Sequence, residues 1–242
     1  MMTFWSWIFL LLGAATCALI ALDVSKRPQH MNIMNVTWPI TGLYMPVIGW
    51  WVYQKMGRAA PAHEGHEGHE GHEDSGSHQH GGHEPQNSHH HHGDKPKWQG
   101  VFVSATHCGG GCTLGDIVAA PLATALGFTL FGSHMAGHFL LAFVAAYAFG
   151  VLFQYLPIRE MGQGSPRSAL VNAIKADTLS LIAFQLGMYL WMLIATPLWL
   201  GGHMDATTPG FWFMMQIAML VGFLTSYPAN WLLVNKGIKH AM

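Results

Sequence analysis

Apolar residues in this chain collect in unbroken runs instead of alternating with polar ones, and the runs match the thickness of a bilayer. About 20 helical residues cross the hydrocarbon. Six stretches approach or exceed that length: 3–22, 38–54, 116–131, 134–156, 169–199 and 209–234. The second and third are short. The third lengthens if residues 98–112 enter the bilayer or lie along its surface. Gly109-Gly110-Gly111 predicts an interruption there, because each Gly costs up to about 1 kcal/mol relative to Ala inside a helix. The pattern predicts an all-α integral membrane protein of about six transmembrane helices. Two N-terminal helices occupy 1–56, a polar cytoplasmic loop 57–97 and a four-helix membrane domain 98–242. The first run lacks a basic leader and a small-residue cleavage site, so it reads as a retained helix.

Composition agrees. The 242 residues are 51% hydrophobic and 10% charged, against about 25% charged in a typical soluble domain, so lipid is the main solvent. A net charge of −1 with no basic patch argues against nucleic acid as a partner. Three cysteines, Cys17, Cys108 and Cys112, are too few for a disulfide framework.

The connection between the second and third runs changes the picture. Residues 62–93 hold His63, His66, His69, His72, His78, His80, His83, His89, His90, His91 and His92, eleven of the seventeen histidines, opening as a His-Glu-Gly repeat. Imidazole is the commonest side-chain ligand for zinc, nickel, cobalt and copper. A tract this dense in His, Glu and Gly has almost nothing apolar with which to build a core, so it is expected to be disordered without metal. In a polyproline II conformation the repeated histidines stand roughly 9 Å apart, so the tract must bend to chelate. That favours weak, exchangeable binding suited to a metal collector. An inert low-complexity expansion is the alternative.

Lys and Arg set orientation. With six crossings, nine lie on the side of the termini and the tract, and Lys26 and Arg27 lie opposite. That predicts a cell (inner) membrane protein with both termini and the tract cytoplasmic.

Candidate chemistry follows the tract. His107, Cys108, Cys112 and Asp116 fall within ten residues and supply soft and borderline metal ligands around a flexible glycine run. Close helix packing at the glycines, with Asp116 as a helix cap, is the competing reading. A second metal set combines His134 and His138, one turn apart, with His203 and Asp205. Lys175 and Asp177 are ionisable residues inside a membrane segment, costly unless paired or hydrated. Either Asp116 or Asp177 could partner Lys175. The methionines Met188, Met192, Met204, Met214, Met215 and Met219 read as packing.

Five ordered motifs carry a family resemblance: His107-Cys108 to Asp116, Phe153-Gln154-Tyr155, Lys175-Ala176-Asp177-Thr178-Leu179-Ser180, Phe213-Met214-Met215-Gln216 and Tyr227-Pro228-Ala229-Asn230-Trp231. Together they resemble an uncharacterised prokaryotic membrane-protein family catalogued as a domain of unknown function, over residues 98–242. The resemblance implies a membrane core of about four helices and no particular activity. It directs attention to His107, Cys108, Cys112, Asp116, Lys175 and Asp177.

The function these features point to is transition-metal homeostasis or transport, with a divalent transition metal and the lipid bilayer as partners and a homodimer left open. A structural or assembly module without transported substrate is the alternative. No nucleophile-base set or nucleotide motif suggests an enzyme. No resident cofactor is implied.

Overall fold

The computed structural model describes residues 2–59, 96–160, 162 and 165–239. The histidine tract and the expectations resting on it lie outside them. The described residues form α1 (Met2–Lys26), α2 (Met34–Tyr44), α3 (Ile48–Val52) running into a π-type turn (Tyr53–Gly57), α4 (Lys97–Leu126), α5 (His134–Glu160), α6 (Pro166–Trp199) and α7 (Pro209–Asn235). Five of these, α1 and α4 to α7, are long and apolar enough to cross a membrane.

Burial is inverted relative to a water-soluble bundle. In α1 the buried positions include Ser6, Gly13 and Thr16, while Phe4, Trp5, Trp7, Leu11, Leu19 and Leu22 face outward. Leu186, Leu190 and Leu193 do the same on α6. Such a surface suits lipid. Helix starts are set locally. Ser165 and Thr208 accept hydrogen bonds from the backbone N–H groups of Ser168 and Phe211, each followed by a proline at the first helical position.

Helices α4 to α7 form an up-down-up-down bundle. Its tightest seam joins α4 to α5, where Gly111 and Gly115 face Gly150 and Ala146. A Cβ on Gly111 would lie 2.8 Å from Gly150 Cα, and one on Gly115 would collide with the Ala146 backbone. These are small residues four apart on both helices, the pattern that lets membrane helices approach closely. The glycine run therefore does not interrupt the helix. Gly109 packs beside Tyr44 and Phe184, and Gly110 beside Thr37, so close neighbours offset the propensity cost. Nor does Asp116 cap a helix: it sits in the middle of α4.

The second expected span, 38–54, is not one helix. α2 runs back antiparallel to α1, bringing Leu43 to Gly13, and then reverses at residues 45–47. There the Ile48 N–H donates to the Pro46 carbonyl at 2.7 Å, a γ-turn with Val47 at φ 64°. The Val47 N–H donates to Thr16 Oγ1 at 3.1 Å, which pins the tip to α1. α3 and the π-type turn then return along α2. Gly57 seats on the Trp38 ring, and Arg58 reaches Asp23 through Nη2 at 2.9 Å and Nε at 3.1 Å. The segment is a helical hairpin whose two ends share the C-terminal end of α1. Proline at the tip and a β-branched residue at positive φ are the local reason a continuous helix fails.

Contacts sort the elements into two ends. Asn32 Nδ2 donates to Glu160 Oε1 at 3.1 Å, and Lys97 reaches Asn235, so the end of α1, both ends of the hairpin, the start of α4 and the ends of α5 and α7 lie together. At the opposite end, Phe9 of α1 stacks on Phe213 near the start of α7.

Candidate functional site

α4 carries the polar interior. Cys108, Cys112 and Asp116 recur every four residues and form one buried stripe, whereas His107 is offset by about 100° from Cys108 and by half a turn from Asp116. A continuous helix therefore separates the four residues that the sequence groups together. Among the described residues, no three His, Cys, Asp or Glu side chains are placed to share one ion.

The stripe packs against Tyr44 of α2 and against Phe184 and Met188 of α6 in the main core. Gln185 and Tyr189 face Asp116 from α6. Asp116 is fully buried, and neither carboxylate oxygen has a hydrogen-bond partner among the described residues. Tyr44 Oη, both ring nitrogens of His107 and the Gln185 side-chain amide are likewise unpartnered. Most buried polar atoms in folded proteins find partners. These unpartnered groups from α2, α4 and α6 collect around α4 inside an otherwise apolar core.

His107 turns instead toward α5, its ring 6.3 Å from that of Phe153. Near it lies a polar knot. Lys239 Nζ is 3.3 Å from Asp177 Oδ1 and donates to Asn230 Oδ1 at 2.9 Å, and Ser180 Oγ donates to Asp177 Oδ1 at 3.3 Å. Lys239 and Asp177 are 0% and 1% exposed, so this is a buried ion pair. Lys175, the expected partner of Asp177 or Asp116, is exposed. Two residues along a helix is about 200° of rotation, which points Lys175 outward when Asp177 points in. Lys239 takes its place because Gly237, at φ 67°, turns the chain back after α7. Sequence reasoning missed Lys239. Its signal was a Lys two residues beyond a helix-ending glycine, too weak to name a partner.

The second expected metal set is divided. His138 is buried, with Nε2 3.5 Å from Thr124 Oγ1, while His134 and His203 are exposed. Asp205 accepts from the Thr207 N–H at 2.8 Å and the Thr207 hydroxyl at 2.7 Å, which hold its carboxyl below the usual range. The Ala206 N–H donates to Thr124 Oγ1 at 3.2 Å, so the loop closes over this end of α4 and α5.

Between that loop and the cysteine stripe lies a small cavity lined by Asp116, His138, Met188, Met192, Met204 and Met215, among others. The methionines pack in the core, and four of them line the same cavity as Asp116.

A family model for a domain of unknown function, DUF4396, matches residues 97–239. The chain belongs to that family. The match takes in α4 to α7 and Lys239, leaving α1 and the hairpin outside it. No curated protein and no solved structure matches the chain.

Proposed function

We propose that this protein moves or meters transition-metal ions at a cell membrane, with the histidine tract as collector and the interior of the α4–α7 bundle as the path. The observation that carries the reading is the helical hairpin. Its strained turn, with Val47 exposed and held by Thr16, sits halfway along α1, and Tyr44 just before the turn reaches Gly109 among the unpartnered polar groups of α4. Irregular backbone at membrane depth is tolerated where protein buries it or where it lines a hydrated path. Strained backbone also concentrates at functional sites.

In this reading the hairpin also changes the expected orientation. With both of its ends at one end of the bundle, Lys26 and Arg27 join Lys55, Arg58, Lys97, Arg159, Arg167, Lys175, Lys236 and Lys239 there. Lys95 belongs to the connection that leaves after Arg58 and rejoins at Lys97. All eleven basic residues then favour the cytosolic side. The histidine tract and the C-terminus are cytosolic in this reading, and the N-terminus is on the opposite face, giving five crossings instead of six. Cytosolic histidines raise the local metal concentration at the mouth of the path.

Two measurements test it. Labelling of single cysteines introduced at Thr3 and Lys236 in sealed vesicles should give opposite sidedness; the same sidedness removes the hairpin topology. Cellular zinc, nickel, cobalt and copper content should change on deletion of residues 62–93 and change further with Cys112→Ser. Unchanged metal content in both variants leaves a structural module held together by the glycine seam.

A further inference from the structure

We propose that the cavity around Asp116 is a binding site for one dehydrated, soft monovalent cation of the copper(I) or silver(I) class. The inference deepens the transport reading above and rests on it for its biological setting; the site itself rests on four observations.

The first is the ligand set. Four thioethers, from Met188, Met192, Met204 and Met215, line the cavity together with His138 and Asp116. Thioether sulfur is a soft donor that selects copper(I) and offers little to calcium or magnesium, which need oxygen ligands. Zinc sites are built from thiolate, imidazole and carboxylate, and a mainly thioether lining does not provide that set.

The second is charge. Asp116 is the one carboxylate lining the cavity, it is 0% exposed, and both of its oxygens are unpartnered among the described residues. A carboxylate in an apolar interior is unfavourable unless a proton or a metal cation neutralises it, and Asp116 has only the Gln185 amide and Tyr189 facing it from α6. Thioethers and neutral imidazole add no charge, so a monovalent cation brings the site to neutrality, whereas a divalent one leaves it with excess positive charge.

The third is size. The cavity has a volume of about 10 Å³, roughly what one water needs. A single bare ion fits and a hydrated one does not. Ion capture therefore requires exchange of water for protein ligands, which soft sulfur donors offer a soft ion.

The fourth is placement. Met188 and Met192 stand one turn apart on α6, Met215 sits on α7, and Met204 belongs to the loop anchored on Thr124. The ligands come from different elements around the buried carboxylate, and Asp116 continues the Cys108–Cys112 stripe toward the opposite end. The cavity is thus one station on the α4 path.

The test uses the full-length protein in detergent, with excess zinc to occupy exposed imidazoles and silver(I) as a redox-inert probe, titrated by calorimetry. The titrations use the chain with Cys17, Cys108 and Cys112 changed to Ser, because free thiols would take silver(I) ahead of thioethers, and this chain should bind one tight equivalent. Met188→Leu with Met192→Leu, a volume-conserving pair, should weaken that equivalent by about tenfold or more, since even loss of an outer-shell partner costs about tenfold in metal affinity. Asp116→Asn should weaken it similarly. Silver-edge X-ray absorption of the cysteine-free chain should show sulfur neighbours, and Met188→Leu with Met192→Leu should remove part of that shell, which ties it to the cavity. Unchanged affinity in the methionine variant, or a shell without sulfur in the cysteine-free chain, overturns the proposal. The absorption readout holds even if the methionine variant fails to fold. Tight silver(I) binding with unchanged cellular metal content would keep the site and sink the transport reading; the reverse would sink the site alone.

Discussion

Lys239→Met should destabilise the protein far more than simultaneous loss of Lys239 and Asp177. The two charges are 3.3 Å apart and essentially unexposed, which corresponds to about 5 kcal/mol of attraction at an effective dielectric constant of about 20. Removing each ion from water costs several kcal/mol, so the intact pair contributes little net stability. Lys239→Met alone leaves the Asp177 carboxylate on α6 without its cation, next to Gly150 and with Oδ2 already unpartnered. The expected loss is about 3–5 kcal/mol. Asp177→Leu alone should cost less, because Lys239 lies beyond the last turn of α7 and its ammonium can swing back to water. Asp177→Leu with Lys239→Met should return close to wild type, since no buried charge is left unpaired. Unfolding by SDS in mixed micelles, followed by far-ultraviolet circular dichroism, gives all four corners of the cycle. Additive losses, or a Lys239→Met variant as stable as wild type, would refute a buried pair at this position.

Three further outcomes follow from packing and backbone. Gly111→Ala and Gly115→Ala should each lower stability by about 1–3 kcal/mol through overpacking at the α4–α5 seam, whereas Gly210→Ala, where a Cβ meets only Leu200 at 3.6 Å, should be nearly neutral; thermal unfolding in detergent separates the two classes. Val47→Gly should raise stability by about 1 kcal/mol or more by relieving positive φ at the hairpin tip, and a lower melting temperature would mean that the tip is not strained. The Thr207 bonds depress the folded-state ionisation of Asp205, so its contribution is present above the ordinary Asp range near pH ~4 and is lost as pH falls through the lower folded value. Hydrogen exchange at Thr207 should accelerate in that acid window in wild type and already at neutral pH in Asp205→Ala; equal protection in both would remove the anchoring role.

Much of the site was visible in the sequence as residues and little of it as an arrangement. His107, Cys108, Cys112, Asp116 and Asp177 are all buried on helices, as ionisable or soft groups inside apolar runs suggest. Their grouping around one ion failed because it assumed that three glycines end a helix. In α4 the same glycines give neighbouring helices close access, and the helix continues through them.

The apolar runs by themselves determined that the chain is helical and lipid-facing, because transfer of a side chain into hydrocarbon is a local free energy that adds along twenty residues. Tertiary structure decided the rest. The same hydropathy describes one crossing or a hairpin that turns back at Pro46 and Val47, and only the contacts of Thr16 with Val47 and of Arg58 with Asp23 distinguish them. Likewise, Asp177 requires a cation, but Lys175 stands on the wrong face and Lys239 arrives from sixty-two residues away. Burial of a charge is written in the sequence around it, whereas the partner that makes burial tolerable is a matter of distance in three dimensions.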